Sequence, residues 1–203
     1  MNYLAVDTSN DYLAVVLKAD GKTYGRFLPD GKIRHSVNLM PTIEDLLSEA
    51  DVAPKDIDVF CTVVGPGSFT GIRIGVATIK GFADALGKKV LGVTAFDLCS
   101  YNTNDEKKLC VIDAAHGNYY ACGFTGEEIS FAPSFIVEKE LEALTFEYSL
   151  YSVKDIDGFA VKKIDVLKGL EHAADKFLSR ASSEANSVKP LYLRLSQAEE
   201  GRK

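Results

Sequence analysis

Over residues 1–30 apolar and polar positions alternate as they do in half-buried strands, and from residue 36 the spacing turns helical. Residues 3–6, 12–17 and Lys22–Leu28 read as three strands, parted by turn chemistry at Asp7-Thr8-Ser9-Asn10-Asp11 and at Asp20-Gly21. A helix over 36–50 carries Leu39, Met40, Ile43, Leu46, Leu47 and Ala50 on one stripe, with Pro41 in its first turn or kinking it. A strand over 57–64, a helix over 70–86 and a strand over Lys89–Val93 complete a β-β-β-α-β-α order. The segment "LCVIDAAHGNYYACGF" at 109–124 then repeats the form of "YLAVDTSNDYLAVVL" at 3–17: apolar strand, Asp, small residues, turn, apolar strand. The pattern predicts an α/β protein of two lobes, 1–97 and 98–203, each a mixed sheet on the same plan. Past Phe131-Ala132-Pro133 the signal thins to a helix at 138–143, a strand at 159–161 and a helix at 167–181. "KPLYLRLSQ" is expected as one extended segment, and 198–203 as a frayed end.

The helix over 70–86 has two apolar faces. Ile72, Val76, Ile79, Phe82, Ala83 and Leu86 form the stripe that should meet the sheet. On the other side Ile74, Thr78, Gly81 and Ala85 are small or uncharged, and Arg73, Lys80 and Asp84 share a narrow sector between. Gly75 and Gly81 each cost about 1 kcal/mol of helix propensity, so close approach of a second body is expected there. That body is a second protein in preference to the other lobe.

Hydrophobic residues make up 46% and charged residues 26% of the 203, which is ordinary for a soluble globular protein. No apolar run approaches the ~20 residues of a membrane span. The N-terminus goes straight into a strand without a secretory signal, so the cytoplasm is the expected address. A net charge of −6 argues against independent nucleic-acid binding. Arg26, Lys32 and Arg34 read as a solvated face. Cys61, Cys99, Cys110 and Cys122 show no metal-ligand spacing and are expected reduced.

"VVGPGSFTGIRIG", residues 63–75, joins a strand to that helix. A phosphate-binding Walker loop requires Lys after its last Gly, but Ile72 and Arg73 follow Gly71, and the dinucleotide fingerprint spacing is also absent. Gly65, Pro66, Gly67, Ser68, Thr70 and Gly71 therefore read as a structural corner, with Ser68 or Thr70 as the helix cap. Anion binding at the helix end is the alternative.

"YLAVDTS", "HSVNLMPTIEDLL", "VGPGSFTGIRIG" with its helix, "GVTAFD", "IDAAHGNYYACGF" and "PLYLR" resemble, in that order, the bacterial TsaB family, formerly YeaZ. The likeness is strong over 1–125 and thin beyond, where the chain is shorter than is usual for the family. The resemblance implies an actin-like (ASKHA) two-lobed fold with a reduced second lobe. It also implies a part in making threonylcarbamoyladenosine beside the anticodon of tRNA, as the non-catalytic relative of the transferase TsaD. Such a subunit pairs with a TsaD-like protein through first-lobe helices and forms a homodimer when alone. It meets a TsaE-like ATPase and tRNA only through the complex. On this basis His35, Leu39, Arg73, Ile74, Ala77, Thr78, Gly81 and Ala85 are the partner-interface candidates, and no residue is catalytic.

TsaD holds its metal with a His-x-x-x-His pair, whereas His35 here is followed at i+4 by Leu39, so no metal is expected. His116 and His172 read as surface residues. Asp7, Thr8 and Ser9 stand where actin-like ATPases keep groups beside phosphates, but Gly117, Gly123, Gly126, Gly158 and Gly169 are isolated and build no adenosine pocket. The nucleotide site is expected to be vestigial. No cofactor is expected on the chain alone, and ATP or ADP at the partner interface is left open. Two other classes remain: a glycoprotease-like metallopeptidase, which needs a metal with an open position, and an actin-like ATPase or sugar kinase, for which Asp113 would be the carboxylate.

Overall fold

The computed structural model describes residues 1–29, 34–101 and 105–194, so the expectations for Lys32 and for residues 195–203 lie outside the described residues. In the first lobe, β1 (Tyr3–Asp7), β2 (Leu13–Ala19) and β3 (Lys22–Leu28) form an antiparallel meander. Then α1 (His35–Glu49) leads to β4 (Val59–Val63), and α2 (Phe69–Leu86) leads to β5 (Lys89–Val93) and α3 (Ala95–Ser100). The sheet order is β3-β2-β1-β4-β5, with β1, β4 and β5 parallel. β1 and β4 are buried along their whole length, as parallel strands covered on both faces must be. Period two sorts their side chains. Leu4, Val6, Leu13, Val15 and Phe60 meet α1 and α2, whereas Tyr3, Ala5, Ala14, Val16 and Cys61 face the opposite side.

The second lobe repeats the plan with β6 (Lys107–Asp113), β7 (Asn118–Thr125), β8 (Glu128–Val137), α4 (Glu138–Leu144), β9 (Ser149–Ser152), β10 (Lys162–Lys163) and α5 (Val166–Phe177). Its order, β10-β9-β6-β7-β8, is that of the first sheet, strand for strand. It is reduced at one place. Residues 153–161, between β9 and β10, carry no helix where the first lobe has α2.

No strand forms at 159–161: Phe159 closes a turn with Ile156, 160–161 are irregular, and pairing begins only at Lys162. The helix expected to reach residue 181 ends at Phe177 and tightens into a 3-10 turn, Leu178–Arg180. β8 passes through Pro133 because it is an edge strand, where a missing N–H costs no ladder bond. The 97/98 division falls inside α3, and α5 returns from the second lobe to place Val166, Leu170, Ala173 and Ala174 against the first sheet. All four cysteines are unpaired and buried. Among the described residues no helix is long and apolar enough to cross a membrane.

Candidate functional site

The glycine corner and the start of α2 border a cleft between the lobes, and the outer face of α2 leads away from it. The corner is pressed onto the β1–β2 turn. Ser68 N–H donates to Ser9 O at 2.6 Å, and Thr8 Oγ1 donates to Gly71 O at 2.7 Å. A Cβ on Gly67 would lie 2.1 Å from Ser9 O, and one on Gly71 1.9 Å from Thr8 O, so backbone meets backbone with no room for a methyl group. Ser68 caps α2, its Oγ accepting from Gly71 N at 3.2 Å. Thr70 is exposed in the first turn and is not the cap.

Asp7, Thr8 and Ser9 are fully buried. Asp7 accepts from Ser9 N at 2.8 Å and Ser9 Oγ at 2.6 Å through one oxygen, and from the Tyr12 hydroxyl at 2.7 Å through the other. Burial pushes the Asp7 carboxyl up, and the donors from Ser9 and Tyr12 pull against that shift. The hydroxyls and carboxylate of this turn are thus bonded within the protein, facing inward. The equivalent turn of the second lobe is open: Asp113 is exposed and accepts from Ala115 N at 2.7 Å, ahead of left-handed Ala115, His116 and Gly117. His172 stacks on Tyr101 with ring centroids 4.0 Å apart, and burial pushes its imidazole down.

On α2, Ile72, Val76, Ile79 and Ala83 are buried against the sheet, and Phe82 stacks on Phe60. Arg73, Ala77, Gly81 and Ala85, spaced every four residues, form one exposed stripe flanked by half-buried Ile74 and Thr78. Nothing lies within 4 Å of where a Gly81 Cβ would be. Two expected contact residues sit elsewhere. Leu39 is in the core at 2% exposure, because α1 buries Leu39, Thr42, Ile43, Leu46 and Leu47 on one face. His35 is half-buried at the cleft, its Nε2 at 2.7 Å from Asn10 O.

The cleft between the lobes has a volume of about 700 Å³. The corner and the start of α1 wall one side, and the ends of β6 and β9 wall the other. Lys154 of the second lobe pairs with Asp11 of the first across it. A strap also crosses. Leu191 N–H donates to Val64 O at 2.7 Å, and Tyr192 stacks on Phe69 at 4.5 Å and accepts from Arg73 Nε at 3.0 Å. Leu193 then packs against the core cluster that α3 and the second sheet share, and the Arg194 guanidinium lies over Phe135. Sequence reasoning saw this segment as extended but not as a crossing. Its composition gives no sign of contacts with residues 119 positions away.

Two five-stranded sheets of the same order around a shared cleft make this an actin-like two-lobed α/β protein. The family model for TsaD, tRNA N6-adenosine threonylcarbamoyltransferase, matches residues 17–132, and the chain belongs to the TsaB (YeaZ) branch of that family. It is 34% identical over 122 residues to the tRNA threonylcarbamoyladenosine biosynthesis protein TsaB of Bacillus subtilis (strain 168), covering 59% of this chain and 53% of the relative. For the protein of the same name from Escherichia coli (strain K12) the figures are 28% over 132 residues, 63% and 57%. The matched stretch thus spans little more than half the length of these curated relatives. The solved structure of YeaZ from Pseudomonas aeruginosa superposes with a TM-score of 0.77 at 25% identity, covering 95% of this chain and 99% of that one.

Proposed function

We propose that the protein serves tRNA threonylcarbamoyladenosine biosynthesis as a non-catalytic subunit. It seats a TsaD-like transferase on the outer face of α2 and activates it. The observation that carries this reading is the stripe Arg73, Ala77, Gly81 and Ala85, which is left exposed although nearly free of polar side chains. Small residues let a second helix approach closely, and family membership supplies the kind of partner. Without that partner a second copy of the chain takes the face. A TsaE-like ATPase and tRNA join through the complex, with ATP or ADP at the partner interface, and the setting is the cytoplasm. A metallopeptidase reading loses support because the i+4 partner of His35 is Leu39, a core side chain.

The test is a reconstituted modification assay with the TsaD-like subunit and calorimetry of the pair. Gly81→Glu or Ala85→Glu should leave the monomer folded, as circular dichroism would show. A charge buried unpaired in the interface costs about 2–5 kcal/mol, so complex affinity should fall by orders of magnitude and modification with it. Unchanged affinity and full modification in both variants would remove α2 as the docking face. Modification that proceeds equally well without this chain would remove the function.

A further inference from the structure

We propose that residues 191–194 are a latch that holds the two lobes together across the cleft, with the Arg73–Tyr192 contact as its catch. The crossing is made by four consecutive residues. Leu191 is tied to Val64 and packs in the first-lobe core, where its carbonyl oxygen would be 2.7 Å from a Cβ on Gly65. Tyr192 is held on α2 between its ring stack on Phe69 and the hydrogen bond from Arg73 Nε, whose guanidinium lies 5.8 Å from the Tyr192 ring. Leu193 and Arg194 are held by the second lobe. The Lys154–Asp11 pair, which also bridges the cleft, joins side chains that are 54% and 42% exposed, and such a pair contributes little. Of these two ties across the cleft the strap is therefore the stronger, while α3 and α5 join the lobes behind it.

The closed cleft also has a built-in reason to open. His35 Nδ1 and Arg194 Nε are shielded from solvent and have no hydrogen-bond partner among the described residues. Both belong to side chains that line the cleft. A buried polar atom left unpaired is penalised, and parting the lobes would let water reach both. In this proposal the strap contacts favour closure and the two nitrogens oppose it. Arg73 is also the first residue of the exposed α2 stripe, so a protein seated there competes with Tyr192 for the guanidinium and loosens the latch. This second half rests on the partner reading above.

The experiment places spin labels at Glu44→Cys on α1 and Glu142→Cys on α4, both exposed, and measures the interlobe distance by pulsed electron resonance. The four native thiols are buried, which directs the label to the new ones. The parent should give one narrow distance. Tyr192→Ala should add a longer, broader population, and Arg73→Ala, which alters only an exposed side chain, should do so in part. Circular dichroism confirms that each variant is folded. Distributions identical to the parent in both variants would overturn the latch. Adding the TsaD-like subunit should lengthen the distance in the parent, and a formed complex with an unmoved distance would overturn the coupling alone. Absence of any complex would count against the partner reading instead.

Discussion

Gly71 shows how a single missing methyl group shapes the site. It is an ordinary helical position without positive φ, so alanine suits its backbone. Space alone forbids it, because the Thr8 carbonyl oxygen would lie 1.9 Å from the added carbon. The obstacle is backbone belonging to a turn that is itself fixed by the Asp7 hydrogen bonds, so it cannot swing aside. Gly81, ten residues along the same helix, meets nothing within 4 Å. Gly71→Ala should therefore destabilise the protein by about 1–3 kcal/mol or more through overpacking. Gly81→Ala should stabilise it by up to about 1 kcal/mol through helix propensity. Thermal or urea melts of the two variants check the pair, and equal effects would remove the backbone-contact account of the corner.

At the scale of elements, α2 begins where one hydroxyl begins it. Ser68 has extended backbone and bonds the Gly71 N–H, whereas Thr70 already lies inside the helix. Ser68→Ala should cost about 1 kcal/mol and Thr70→Ala close to nothing, as read from chemical denaturation. Equal costs would mean that the cap is shared. α2 itself was legible in the sequence because its apolar spacing persists through five turns. α3 was not, since six residues are too few for a period to show. Its one sequence signal was the Thr94–Asp97 capping box, in which Thr94 Oγ1 accepts from Asp97 N at 3.2 Å. β9 and β10 escaped for the same reason, with four and two residues. Of the site, the uncharged face of α2 could be read from spacing. The burial of Leu39 could be read from the α1 stripe, although the family resemblance implies a place at the interface. The inward turn of Asp7 and the strap depend on contacts between distant segments and leave no periodic trace.

At the scale of the molecule, a repeated plan gives two sheets of the same order but not two independent folding units. The first sheet has one face covered by α1 and α2, its own helices. Its other face, with Tyr3, Ala5, Val16, Val59 and Leu91, is covered largely by α5, which follows the entire second sheet in the chain. α3, between the lobes in sequence, gives Ala95 and Leu98 to that first-lobe layer and Phe96 and Cys99 to the second-lobe core. A fragment ending at residue 100 would therefore leave one whole face of a five-stranded sheet in water, losing most of one of its two apolar layers. At roughly 25 cal/mol for each Å² of apolar surface, exposing even a few hundred Å² removes as much free energy as a typical domain has to spare. The expected outcome is that residues 1–100 give no cooperative melt and bind a hydrophobic dye, whereas the full chain melts in one transition. Adding residues 164–181 as a separate peptide should restore part of the cooperativity, because Val166, Leu170, Ala173 and Ala174 supply the missing layer. A sharp, dye-free melt of the fragment alone would show that the first lobe folds without its borrowed helix.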